Sequence, residues 1–274
     1  MAIESPAPMP LPLPLFAQAI EAPAPPAPKL EVAARPTVED DRLRLCIEQA
    51  GTDPATALAQ ASAWVEESRG ASRSKALECL GQVHTVLLRW PAAEAAFVEA
   101  ATVTDGGPRR FALLVQAGNA ALAGGRAESA LGHFDAALAL PGVVAVERGE
   151  ASVDRGRALV ALERPSEAVE AFAAAQRDAP DDPDAWLLGA TLARRRGDLA
   201  AAQRQIEVAG SLASKNPEVG LEAGVIAVLA GRPEAARKAW ESVRLVAPES
   251  AAAATAKGYL AQLETSPAKA PAGR

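Results

Sequence analysis

The residue types that most often carry out chemistry are scarce in this 274-residue chain, which has two cysteines and two histidines. Neither His84 nor His133 has a metal-ligand or catalytic partner at a recognised motif spacing. The sequence also contains no glycine-rich phosphate loop, no zinc-binding spacing and no nucleophile motif. We therefore predict that the chain is not an enzyme, binds no cofactor or metal, and uses both histidines in structural or surface roles.

The composition indicates an all-α protein whose core is built from small side chains. Hydrophobic residues make up 49% of the chain, but aromatic residues only 4%. Alanine has the highest helix propensity and allows helices to pack closely.

The net charge of -6 makes nucleic acid an unlikely partner, because the chain lacks the cluster of basic residues that binds phosphates. The one basic cluster, residues 194–196, fits the end of a helix.

Both ends of the chain differ from its middle. Ten of the 22 prolines lie in residues 1–36, so we expect a disordered segment there, and a second one at 266–274. The apolar run MPLPLPLFAQAI has no Lys or Arg before it and is interrupted by proline, unlike a secretory leader. No run of 18 apolar residues is present, so we expect no membrane span and a cytoplasmic location.

An internal repeat of 34 residues organises the rest. The stretch ERPSEAVEAFAAAQRDAP at 163–180 returns 68 residues later as GRPEAARKAWESVRLVAP, and GDLAAAQRQIEVAG at 197–210 lies halfway between them. Repeats in this frame begin at Gly149, Pro183 and Pro217. Two earlier copies begin at Ser74 and Phe111, at spacings of 37 and 38 residues. Each copy is the size of one helical hairpin.

The pattern resembles the tetratricopeptide repeat (TPR) of bacterial-type proteins, whose hairpins follow W-x2-L-G-x2-Y, A-x3-F and P. LECLGQVH at 77–84 matches the first part, and alanine followed four residues later by a large apolar residue matches the second. The resemblance implies a TPR superhelix, an α-solenoid of antiparallel helix pairs. Its structural positions here are Gly81, Ala93, Phe97, Gly118, Ala130, Phe134, Gly156, Ala168, Phe172, Pro180, Ala190, Ala202, Gly224, Ala236, Trp240 and Pro248.

These positions have a physical explanation. We expect the Gly/Ala of the first helix and the Ala of the second to lie where the two backbones approach most closely. The aromatic side chain would fill the space towards the next repeat. One hairpin cannot bury its apolar face alone, so stacking supplies the core.

The expected organisation has five parts: a disordered segment at 1–36, a degenerate TPR-like hairpin at 37–73, five repeats at 74–250, a capping helix at 251–265 and a tail at 266–274. The register of the first hairpin is open, because a frame starting at Val38 puts Arg44 and Glu48 at apolar positions.

Cys46 and Cys79 would lie on first helices of neighbouring hairpins. Packed helices are about 8–10 Å apart and a disulfide needs Cα atoms within about 7 Å, so we predict buried free thiols.

The family resemblance implies partner binding on the concave face, which is lined by first helices. The residues that we predict to bind a partner there are Gln82, Gln116, Asn119, Asp154, Arg157, Thr191, Arg194 and Glu222. The resemblance does not extend to the carboxylate clamp of chaperone-binding TPRs. Its slots hold Asn119 but also Asp154 and Asp184, where cations would be needed.

We therefore interpret the chain as a non-catalytic adaptor or scaffold that binds a protein or peptide partner. The alternative is a periplasmic or membrane-associated assembly factor with an atypical N-terminal export or anchoring segment. The identity of the partner and the oligomeric state are left open by the sequence.

Overall fold

The computed structural model describes residues 37–104 and 106–265, and the predicted segments at 1–36 and 266–274 lie outside them. Within the described residues the chain forms thirteen helices and no strand. They are α1 (Val38–Thr52), α2 (Pro54–Glu67), α3 (Gly70–Val86), α4 (Trp90–Val103), α5 (Gly107–Ala123), α6 (Ala127–Leu138), α7 (Ala145–Ala161), α8 (Pro165–Asp178), α9 (Pro183–Arg195), α10 (Leu199–Leu212), α11 (Pro217–Leu229), α12 (Pro233–Val246) and α13 (Ala251–Thr265).

The helices stack as consecutive hairpins. α3 packs against α4, α5 against α6, α7 against α8, α9 against α10 and α11 against α12. Each second helix also packs against the first helix of the next hairpin, and α13 packs on α11 and α12 at the end. The all-α solenoid predicted from the sequence is confirmed.

One turn geometry joins the two helices of all five hairpins from α3 to α12. Leu88, Gly125, Glu163, Gly197 and Gly231 have positive φ and follow the spacing of the sequence repeats. The next residue donates its backbone N–H to a carbonyl five residues back, as Arg164 does to Leu159 at 2.9 Å and Arg232 to Ala227 at 2.8 Å. This is the Schellman end of a helix, in which a left-handed residue stops the first helix and reverses the chain.

In four of the five repeat hairpins, an aromatic ring of the second helix lies directly on the backbone of a glycine in the first helix. A Cβ atom added to Gly156 would be 2.4 Å from the nearest ring atom of Phe172, and one added to Gly224 would be 2.1 Å from Trp240. Gly81 with Phe97 and Gly118 with Phe134 repeat the contact, at 2.5 Å each. We expected this glycine to admit a neighbouring backbone, but it admits the aromatic side chain of its own hairpin.

In the fourth hairpin two other residue types share the space between the helices. Its glycine position is Ala190 and its aromatic position is Ile206, both buried in one cluster. The smaller aliphatic side chain leaves room for the methyl group of alanine. The alanines of the second helices, Ala93, Ala130, Ala168, Ala202 and Ala236, are each 0% exposed.

The first hairpin departs from the repeats. Ala50 is the one buried residue of α1, whereas the first helices from α3 to α11 each bury four to seven. Arg44 and Glu48, which did not fit an apolar register, face solvent and form an ion pair at 2.8 Å. An N-terminal hairpin needs to bury only one side, so its outer positions are free to be polar.

The prediction of free thiols is wrong. Cys46 on α1 and Cys79 on α3 form a disulfide, with their Cα atoms 6.0 Å apart. The separation of about 8–10 Å applies to helix axes. Because Cα atoms lie about 2.3 Å from the axis, two that face each other across a packed pair come within disulfide range.

The ring-on-glycine contact predicts opposite effects for one substitution at two helical glycines. Gly156→Ala should lower the free energy of unfolding by about 1–3 kcal/mol, because the new methyl group displaces Phe172. Gly132→Ala is the matched control, since no atom lies within 4 Å of its added Cβ. That variant should gain about 0.5–1 kcal/mol. Adding Phe172→Ile to Gly156→Ala copies the fourth hairpin and should restore part of the loss. Urea unfolding measures all three, and equal effects at Gly156 and Gly132 would contradict the contact.

The shared turn gives a second prediction. Glu163 is exposed and has a φ of 57°, a conformation that costs a non-glycine residue roughly 1–2 kcal/mol. Glycine removes that strain but loses about 0.5–1 kcal/mol of chain entropy. Glu163→Gly should therefore raise the thermal unfolding midpoint slightly, and Gly231→Ala, at a φ of 71° in open space, should lower it. A lower midpoint for both variants would mean that the turn is not set by backbone conformation.

Candidate partner-binding face

The side of the solenoid formed by first helices, here called the first-helix face, contains two grooves of the same construction. In each groove the walls come from two consecutive first helices. The buried aromatic residue of the second helix between them contributes to the floor. The ring-on-glycine contact thus has a second consequence, because it presents an aromatic surface in the gap between repeats.

The first, here called the amide groove, lies between α3 and α5 and has a volume of about 330 Å³. Its lining residues are Gln82, Thr85, Trp90, Phe97, Gln116, Asn119, Ala120 and Ala123. Gln82 Nε2 donates a hydrogen bond to Gln116 Oε1 at 3.0 Å. Asn119 is exposed beside this pair, and its side chain makes no hydrogen bond to any other described residue.

The second, here called the arginine-rimmed groove, lies between α7 and α9 and has a volume of about 200 Å³. Its lining residues are Arg157, Val160, Phe172, Leu188, Thr191, Leu192 and Arg195. The Thr191 hydroxyl donates to the Leu187 carbonyl of its own helix at 3.0 Å. Arg195 is exposed at the rim and forms no ion pair with the residues that the structure describes.

Several predicted binding residues are bonded to one another across consecutive first helices. Arg157 contacts Asp154 at 2.7 Å on its own helix and Asp184 on α9 at 3.1 Å. Arg194 on α9 pairs with Glu222 on α11 at 2.5 Å, and both side chains are largely buried. These contacts link one repeat to the next, so the side chains are not free for a ligand in the way that Asn119 is.

A further link between first helices was not anticipated from the sequence. Glu78 on α3 pairs with Arg109 on α5, and both side chains are at least two-thirds buried. Burial raises the pKa of Glu78, an effect that the Arg109 charge partly offsets. Trp90 and Thr85 were also missed as groove residues. Trp90 could have been noted, because an aromatic residue directly before Pro91 lies at the start of a second helix, facing the gap between repeats.

The acid–base cluster on the second helices does not have the arrangement of a catalytic triad. Glu94 on α4 accepts hydrogen bonds from Arg126, Ser129 and His133, the last at 2.8 Å. The same His133 nitrogen faces Glu94 and, at 3.5 Å, Ser129, which itself donates to Glu94. In a triad the serine and the acid lie on opposite imidazole nitrogens. Burial alone would raise the pKa of Glu94, but its three donors hold the pKa below the usual value. The cluster therefore links two repeats.

The other histidine lies away from both grooves. His84 is partly buried on α3, and its Nδ1 has no hydrogen-bond partner among the described residues. Burial, together with the nearby charge of Arg89, lowers the pKa of His84. Within residues 37–104 and 106–265, no three His, Cys, Asp or Glu side chains come together as a metal site. No helix of that part is long and apolar enough to span a membrane.

The fold is shared with solved structures of repeat proteins. PilW, described as a type IV pilus biogenesis factor, matches with a TM-score of 0.66 at 18% identity, over 80% of this chain and 98% of PilW. PilF of Pseudomonas aeruginosa matches with a TM-score of 0.62 at 16% identity, over 81% and 100%. YrrB, a TPR protein with an unusual peptide-binding site, matches with a TM-score of 0.52 at 19% identity, over 72% and 97%.

Two sequence comparisons add to this structural similarity. None of the curated proteins compared with the chain matches it. The family model of the tetratricopeptide repeat matches residues 153–207, which run from the middle of α7 into α10. That match identifies tetratricopeptide-repeat sequence at residues 153–207, and the solved structures share the fold of stacked helical hairpins over most of the chain.

Proposed function

We propose that the chain is a non-catalytic scaffold that holds an extended peptide segment of a partner protein along its first-helix face. The observation that carries this proposal is the amide groove, where the exposed Asn119 stands beside the Gln82–Gln116 hydrogen bond. Each side-chain amide both donates and accepts hydrogen bonds. It therefore matches a peptide backbone, which presents one donor and one acceptor at every residue other than proline.

The floor of the amide groove supplies the apolar part of the interaction. Trp90 is partly exposed there, and the buried Phe97 also lines the groove. A volume of about 330 Å³ accommodates one or two side chains of a partner and is at the lower end for ligand pockets. Pairing an apolar floor with a few convergent polar groups is the usual construction of a specific binding site.

The arginine-rimmed groove would extend the same site by two repeats. Its Val160 and Leu188 side chains can take an apolar residue of the partner, and Arg195 at the rim can pair with an acidic one. A partner's terminal carboxylate is not favoured nearby, because Asp154 and Asp184 already share Arg157. We therefore favour an internal peptide segment over a free C-terminus.

The experiment uses twelve-residue peptides selected from a random library on the unmodified protein. The Gln116→Ala/Asn119→Ala variant should weaken binding of the selected peptides by roughly 5-fold to 30-fold, as expected when a central contact is lost. Isothermal titration measures the dissociation constants, and circular dichroism verifies that the helix content is retained.

The matched control reverses two charges on second helices. Glu170 and Lys238 are exposed and form no ion pair within the described residues, so Glu170→Lys/Lys238→Glu should leave the fold and the affinity unchanged. Loss of binding in this control, with normal binding by the amide variant, would move the site to the second-helix side. A cavity of about 270 Å³ lined by Gln176, Gly189 and Gln205 would then be the candidate.

A second candidate function, a periplasmic or membrane-associated assembly factor, is favoured by the Cys46–Cys79 disulfide. Disulfides persist in oxidising compartments and are rare in the bacterial cytoplasm. PilW, which has the same fold, is described as a pilus biogenesis factor. The two candidates differ in the compartment where the protein is found: an assembly factor of this kind is exported, and the adaptor stays in the cytoplasm.

Cellular thiol trapping tests the location. Cells are quenched in acid, and free thiols are then alkylated before any reduction. For an exported protein, we expect Cys46 and Cys79 to resist alkylation and a C-terminal alkaline phosphatase fusion to be active. Two alkylated thiols with an inactive fusion would exclude the assembly-factor candidate and support the cytoplasmic adaptor.

A further inference from the structure

The disulfide joins the most weakly buried helix of the solenoid to a fully buried position of the next hairpin. α1 contributes Ala50 to the buried core, and Leu43 and Cys46 pack against the core while partly exposed. Cys79 on α3 is 0% exposed. Little apolar burial therefore holds α1 in place, since burial of apolar surface is the main stabilising contribution to packing.

The other contacts of α1 are mostly at the surface, although the Lys75 side chain that pairs with Asp40 is only 16% exposed. Asp40 pairs with Lys75 at 2.5 Å, and Arg42 pairs with Glu67 at 3.8 Å and lies over the Trp64 ring at 4.5 Å. Exposed ion pairs contribute little to stability. The covalent bond from Cys46 to Cys79 is thus the strongest single attachment of this helix.

The disulfide is reachable from one side. Cys46 lines a groove of about 710 Å³ between α1 and α2, together with Leu45, Gln49 and Trp64. Leu45 is 55% exposed, so the groove is open to solvent. Cys79 also lines this groove but is buried, whereas Cys46 is partly exposed, so a small dithiol or the active site of a thiol–disulfide oxidoreductase reaches the disulfide from the Cys46 side.

We propose that α1 is a redox-controlled latch, held on the first repeat by the Cys46–Cys79 disulfide and released when a dithiol reductant opens that bond. The reductant thiolate attacks the Cys46 sulfur, and Cys79 leaves as a thiolate and takes up a proton. The second thiol of the reductant then resolves the mixed disulfide, so that Cys46 becomes a thiol and the reductant a disulfide. Two electrons and two protons pass to the protein.

Release of α1 would uncover a helix-wide apolar strip. Ala76, Cys79 and Val83 are spaced by three and four residues on α3, and each is 0% exposed. Trp64 on α2 is 2% exposed and belongs to the same cluster.

Hydrogen exchange with mass spectrometry on the full chain, with and without a dithiol reductant, tests the latch. Reduction should raise the exchange rate of amides in α1 by about ten-fold or more. Without the cross-link, the state in which α1 is detached from the first repeat is more populated. Amides in α5 to α13 should keep their rates and so report that the repeats remain folded. The Cys46→Ser/Cys79→Ala variant should reproduce the reduced pattern without any reductant.

Two controls separate the latch from general destabilisation. The variant should not respond to the reductant, since it has no disulfide to open. Its total tryptophan fluorescence, to which Trp64 contributes with three other tryptophans, should match that of the reduced protein. Unchanged α1 exchange in both the reduced protein and the variant would overturn the proposal, as would equal acceleration in every helix.

Discussion

The contact on which the solenoid depends is an aromatic ring lying on the bare backbone of a glycine. Four of the five repeats make it, and in each a single added methyl group would be 2.5 Å or less from a ring atom. The contact fixes how closely the two helices of a hairpin approach, because the ring fills the gap completely. Since each hairpin is packed against the next, that distance also sets the spacing of the first helices.

The same contact explains where a ligand could bind. A ring held between two first helices forms the floor of the amide groove and of the arginine-rimmed groove. Around these floors the polar side chains divide into two groups. Arg157 and Arg194 bridge neighbouring helices through acids and hold the array together. Asn119 has no such partner among the described residues, and the binding proposal therefore depends on it most.

The sequence was enough to predict the repeated hairpins and their buried positions. It was not enough to predict which side chains contact each other between helices. The repeat register, the buried alanines such as Ala168, and the helical class followed from spacing and helix propensity. The first-helix residues Gln82, Gln116 and Asn119 were also found this way, because one frame places them on one face. Which side chains bond to each other depends on distances between helices, which a repeat pattern does not contain.

The disulfide and two of the turns illustrate that limit. Cys46 and Cys79 were predicted to be free because helix axes, rather than facing Cα atoms, were taken as the measure of distance. Leu88 and Glu163 adopt a left-handed conformation that their own side chains do not indicate, and the glycine at the same turn in the other three repeats is the signal that could have revealed it. At Leu88 and Glu163 the stacking of the hairpins imposes a conformation that the local residue disfavours.

Site-specific photo-crosslinking tests most directly the claim that partners bind over the aromatic floors. A photoreactive phenylalanine analogue would replace Ala123, an exposed residue that lines the amide groove, in one protein and the exposed second-helix residue Glu170 in another. Both would be irradiated with a selected peptide at equal concentration. The account predicts a crosslinked product from position 123 and none from position 170. Crosslinking from position 170 alone would contradict it and place the binding surface on the second helices.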